Sequence, residues 1–195
     1  MIETISPVVH GTKRHQYRIT VALHVLGATL AAALLGASLG ALGALSGAPW
    51  GKAGLATVAI VAAVYAGREL FLLPVPLPDR HRQVPAWWRT FFSPRIAGLL
   101  YGLGLGIGFL TFLSYGTFVA VAVAALASGD PVTGMLVCAP FGLARGSSIL
   151  VGELVAHAHP REVVDRLESV AQGGIPRWIN GGCLTAIALS IGWPG

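Results

Sequence analysis

Three tracts of this chain carry no Asp, Glu, Lys or Arg: 19–51, 96–129 and 178–195. The first two exceed the ~20 residues that an α-helix needs to cross a bilayer. A water-soluble domain spreads charge over its surface, on about a quarter of its residues. Here 11% of 195 residues are charged and 54% are hydrophobic, and the charges cluster between apolar runs. Mean hydropathy is +0.72. The expected fold class is therefore all-α, a polytopic integral membrane helix bundle of about five spans.

An arm, 1–18, ends in Lys13-Arg14-His15-Gln16-Tyr17-Arg18 and leads into a single transmembrane domain, 19–195. Spans are expected at about 19–47, 53–73, 96–128, 132–156 and 178–193. The first apolar run is far longer than the core of a signal peptide, so no cleaved leader is expected. Ala48-Pro49-Trp50-Gly51 reads as a tight turn that makes spans one and two a helical hairpin, and Pro74, Pro76 and Pro78 close the second. The third tract is too long for one perpendicular helix. It holds Gly98, Gly102, Gly104, Gly106 and Gly108, then Ser114-Tyr115-Gly116-Thr117, which predicts a span either strongly tilted or broken midway. Pro140 predicts a kink in span four. Pro160 opens an amphipathic segment, about 160–172, expected to lie in the membrane interface.

Orientation follows from the basic residues. Lys13, Arg14 and Arg18 in the arm, Arg68, Arg80, Arg82, Arg89 and Arg95 around the second loop, and Arg161, Arg166 and Arg177 around the fourth all fall on one side. Lys52 alone falls on the other. The positive-inside rule then places the N-terminus in the cytoplasm of a multi-pass cell membrane protein and the C-terminus outside. The same rule accounts for the formal charge of +5, so no nucleic-acid partner is expected. The expected partners are the lipid bilayer and a membrane or extracytoplasmic protein.

Catalytic signatures are missing. The chain has no HExxH, GxSxG or CxxC, and no paired acids within a span. His157 and His159 do not bring three ligands together, so neither a metal nor a cofactor is expected. Cys138 and Cys183 each lie in an apolar tract and read as inert buried thiols. The alternative is a redox pair meeting across spans four and five. His24, a turn or two inside span one, reads as an interface residue rather than a proton relay.

Arg145 is the oddest residue, a cation inside span four, where insertion costs at least ~2.5 kcal/mol and the charge is normally paired or faces a cavity. Glu153 is eight residues on, about 80° round a regular helix, so the two do not pair directly. Thr111, Ser114 and Tyr115 beside it, the mobile backbone at Gly106 and Gly108, and carbonyls freed by Pro140 make up the candidate cavity or transport site. The competing reading is structural, with glycines at four-residue spacing allowing close helix packing and Arg145 fixed by an acid or helix-end carbonyls.

The order of elements resembles the CcdA/DsbD-like cytochrome c biogenesis and thiol-reductant membrane family. His24-Val-Leu-Gly through Leu39-Gly-Ala-Leu-Gly-Ala-Leu-Ser-Gly and Trp50-Gly-Lys look like its second and third spans, Gly98-Leu-Leu-Tyr-Gly-Leu-Gly-Leu-Gly-Ile-Gly-Phe through Asp130 like its fourth, Val132 to Glu153 like its fifth and Trp178 onward like its sixth. The family's Pro-Cys motifs have no counterpart here: after Gly108-Phe109 stands Leu110-Thr111-Phe112, and a first Pro-Cys span is not found. The resemblance implies the scaffold without the dithiol, and no catalytic residue is carried over. The expected function is an inner-membrane protein that moves a small solute or ion, or supports extracytoplasmic protein maturation, without its own dithiol chemistry. Two alternatives stand beside it: a non-catalytic membrane subunit of a larger complex, and a thiol-disulfide relay through Cys138 and Cys183.

Overall fold

The computed structural model describes residues 14–77, 91–108, 115–156 and 174–192. Among these the regular elements are six α-helices: α1 (Arg14–Leu45), α2 (Gly51–Phe71), α3 (Pro94–Gly106), α4 (Thr117–Ser128), α5 (Pro131–Ala156) and α6 (Ile175–Gly192). The expected interfacial segment at 160–172 lies outside the described residues. α1, α2 and α5 are long and apolar enough to cross a membrane on their own. Leu34, Ile60, Leu136 and Leu189 stand exposed on the outside, as they would with acyl chains for solvent.

α1 has 32 residues, ~48 Å of helix against a ~30 Å hydrocarbon core. It begins at Arg14, inside the expected arm, because Tyr17 packs with Val21 against Val25 and Ile149 and extends the buried face of the helix. α2 stops where Leu72 turns into the left-handed region, φ 58°. The start of α5 is capped from the turn before it. The backbone N–H and hydroxyl of Thr133 each donate to Asp130 Oδ2 at 2.7 Å, and Pro131 occupies the first helical position, where its missing N–H is harmless. Those two bonds, the hydroxyl's first, hold the Asp130 carboxyl below its ordinary range. α5 then runs on as helix through Pro140.

α1 is the hub. α3 and α5 pack along it, α2 pairs with α6, and α4 touches α1, α2, α5 and α6 and so joins the two groups. Glycines set the spacing: a Cβ added at Gly102 or Gly106 of α3 would strike the carbonyl oxygens of His24 or Ala28 on α1. Gly134 of α5 meets Gly36 of α1 in the same way. Backbones approach this closely in lipid only where side chains are small. On the other side, Ala62, Ala66, Ala120 and Leu184 form the core shared by α2, α4 and α6.

The helical hairpin expected of spans one and two does not form. Although a short turn joins them, α1 and α2 bring no Cα atoms within 8 Å of each other among the described residues. The last turn of α4 lies between them: Gly43 of α1 faces the Leu126 carbonyl, and Gly54 of α2 faces the Ala127 side chain. The missing Cβ atoms on both helices make that room.

Candidate functional site

Among the described residues the third tract does not run as one helix: α3 ends at Gly106, residues 107–108 and 115–116 are not helical, and α4 begins at Thr117. Gly108 terminates the first half. Its φ is +66°, and a Cβ there would lie 2.5 Å from Phe118 Cζ, so the position excludes side chains both by backbone conformation and by space. The second half begins against α2. Gly116 abuts the Tyr65 ring, where a Cβ would come within 2.6 Å of Tyr65 Cγ.

Glu69 of α2, 1% exposed, marks this junction. The Gly116 N–H donates to Glu69 Oε1 at 3.2 Å, and Arg68 Nη1 lies 2.6 Å from the same oxygen. A carboxylate at the start of α4 also meets the positive end of that helix. Arg68 Nε donates to the Val75 carbonyl at 2.9 Å, and the Tyr65 hydroxyl to the Pro76 carbonyl at 3.1 Å. The strand of chain leaving α2 is thereby tied to the same turn. Glu69 lies ~22 Å along α2 from Gly54, which puts this charge well below the end of the bundle where α4 finishes.

α6 supplies the other anchor. The Thr117 hydroxyl donates to Asn180 Oδ1, so Gly116 and Thr117, the N-cap and first residue of α4, are held by polar side chains from two different helices. Asn180 Nδ2 and Arg177 Nε on α6 are buried with no hydrogen-bond partner among the described residues.

Arg145 lies on α5. Its guanidinium carbon is 5.9 Å from the Phe141 ring centroid, within cation–π range. Phe141 lies 5.2 Å from Phe118, the ring that covers Gly108. Phe141 thus links Arg145 of α5 to the ring over Gly108, while Tyr115 directly precedes Gly116, whose N–H donates to Glu69. Gly106 is used in the α1–α3 contact, and Pro140 is exposed on α5. Thr111 and Ser114 lie outside the described residues.

His24, expected at the membrane interface, is buried between α1 and α3. It is 3% exposed, and its Nδ1 donates to the Gly98 carbonyl of α3 at 3.2 Å, because a carbonyl can only accept. Cys138 is buried against Gly36, and Cys183 is exposed on α6. Among the described residues, α5 and α6 nowhere bring Cα atoms within 8 Å. A disulfide needs less than ~7 Å, so the two thiols do not form the pair considered from sequence.

Sequence reasoning missed Glu69 and Asn180. Glu69 follows a cation in the final turn of span two, where a charge looks like the end of a helix. Its burial depends on Gly116, 47 residues on.

The chain matches the family described as the cytochrome C biogenesis protein transmembrane region over residues 5–175. It is 36% identical over 137 residues to the methylamine utilization protein MauF of Paracoccus versutus, covering 69% of this chain and 50% of that protein. MauF of Paracoccus denitrificans is 33% identical over 136 residues, 69% of this chain and 49% of that one. MauF of Methylorubrum extorquens is 34% identical over 131 residues, with shares of 67% and 46%. The chain spans about half the length of these curated relatives. No solved structure matches it.

Proposed function

The chain belongs to the cytochrome C biogenesis protein transmembrane region family, and we propose from that premise that it supports maturation of an extracytoplasmic protein through its broken third span. The relatives named for methylamine utilization support assigning that extracytoplasmic protein to amine utilization. The interruption between Gly106 and Thr117 carries this reading, because half-helices that meet inside a membrane leave backbone groups and a dipole where a moving solute or segment can be met.

In this account α3 and α5 form a rigid unit on α1, and the start of α4 is the part that moves. Glu69 and Asn180 hold it in the arrangement seen here, through Gly116 and Thr117. In the same account Arg145 and Tyr115 are the polar groups that a small solute or ion crossing the break would meet. In this account Cys138 and Cys183 take no part, which the separation of their helices supports: among the described residues no Cα of one comes within 8 Å of the other.

Deleting the gene and growing the cells on methylamine tests the proposal. Loss of a mature extracytoplasmic protein and of growth, both restored by this chain, is the expected outcome. An Arg145→Met variant should reach the membrane at normal abundance and fail to restore either. Reduced abundance as the first effect would favour the packing-subunit reading. A deletion that leaves the extracytoplasmic proteins and growth unchanged would refute the maturation role.

A further inference from the structure

A groove of roughly 680 Å³ runs along the outside of the bundle between α1 and α5, with no lining residue from α3 or α4. On α1 two rows at four-residue spacing line it, Arg18-Ala22-Leu26 and Val21-Val25-Thr29, and Leu143 and Leu150 close it from α5. Its volume falls within the ~300–1,000 Å³ of small-molecule sites, yet it is almost entirely apolar. The Thr29 hydroxyl at the inner end donates to the Val25 carbonyl at 2.8 Å, so that end presents no uncommitted donor. The outer end is different: Arg18 stands exposed there, with Lys13 and Arg14 just before it in the chain.

The dimensions match one leaflet. From Arg18 to Thr29 the groove covers ~16 Å of helix, about half of the ~30 Å hydrocarbon thickness. A cation at headgroup level above one leaflet's depth of apolar wall is complementary to a single amphiphile, with its phosphate at the top and its chain below. We propose that this groove is a binding site for one anionic glycerophospholipid of the leaflet that the basic arm faces, its phosphate on Arg18 and one acyl chain along Ala22 and Val25 between α1 and α5. The charge selects an anionic headgroup over a zwitterionic one. The short side chain of Ala22 leaves the space for the chain. Bound there, the lipid covers the contact in which Tyr17 and Val21 meet Ile149.

The full chain, purified in a neutral detergent and mixed with equal amounts of phosphatidylglycerol and phosphatidylcholine of identical acyl chains, provides the test by native mass spectrometry. The wild type should retain one phosphatidylglycerol about fivefold in preference to phosphatidylcholine, the factor one cation near the membrane surface contributes. Arg18→Gln should bring the two lipids to parity. Ala22→Trp should expel both, and Ala22→Leu should weaken both. Arg18 and Ala22 are exposed in the protein alone, so unchanged helicity and elution volume should accompany each variant. Equal retention by the wild type, an unchanged preference in Arg18→Gln, or full retention in Ala22→Trp would overturn the proposal. So would a lipid that binds only after residues 1–12 are removed, since the arm itself would then be the occupant.

Discussion

Arg68 and Glu69 are neighbours in sequence and partners in space, but they are not equally buried, and that inequality gives a measurable asymmetry. In the pair the guanidinium is 26% exposed and the carboxylate 2%. Arg68→Ala leaves the buried carboxylate with the Gly116 N–H but no counter-charge, and breaking a buried pair from one side costs about 3–5 kcal/mol. Glu69→Ala leaves a partly hydrated guanidinium that keeps its bond to the Val75 carbonyl. The principal orphan is then the Gly116 N–H, worth ~1–3 kcal/mol. Removing the cation should therefore be worse than removing the acid by roughly 2 kcal/mol, on the order of 30-fold in the unfolding equilibrium. The double variant Arg68→Leu/Glu69→Leu should be milder than Arg68→Ala, because no charge remains buried. Reversible unfolding in mixed detergent–SDS micelles, followed by helical circular dichroism, reads all three. Equal losses, or a larger loss for Glu69→Ala, would refute the claim that Glu69 is buried at the start of α4.

Three further outcomes follow from local geometry. Gly102→Ala should destabilise by about 1–3 kcal/mol through overpacking against the His24 carbonyl, whereas Gly182→Ala, where nothing lies within 4 Å, should be neutral or stabilising in the same unfolding assay. Gly108→Ala should lose ~1–2 kcal/mol to its left-handed backbone alone, and a Phe118→Ala background should relieve the ring clash but not that strain. Asp130 should stabilise α5 above the ordinary carboxyl pKa and lose that effect as pH falls through its lowered value. Melting temperature should accordingly drop in Asp130→Ala at neutral pH, while Asp130→Asn keeps the cap and loses the acid sensitivity.

The long spans were legible because absence of charge over twenty or more residues leaves a chain few alternatives to a bilayer. The third tract was legible only as an alternative: its length and the glycines up to Gly108, followed by Tyr115-Gly116, called for a span either strongly tilted or broken, and the helix ends at Gly106 and Thr117 favour the second. What sequence hid were relations between distant residues. A short turn between apolar spans normally makes them neighbours, yet Gly43 and Gly54 open a slot that α4 fills. His24 lay near the end of a span by count, and its burial depends on the approach of Gly98, 74 residues on. The polar anchor of α4 is the extreme case, because Glu69, Gly116 and Asn180 belong to three separate tracts.

The central proposal is that this member of the cytochrome C biogenesis protein transmembrane region family supports extracytoplasmic protein maturation without thiol chemistry of its own, and one experiment meets it directly. In a deletion strain, the Cys138→Ala/Cys183→Ala variant should restore the mature extracytoplasmic protein to the wild-type level, and acid-quenched alkylation should trap no mixed disulfide on the wild-type chain. Loss of maturation in that variant, together with a thioredoxin-like protein captured on either cysteine, would contradict it.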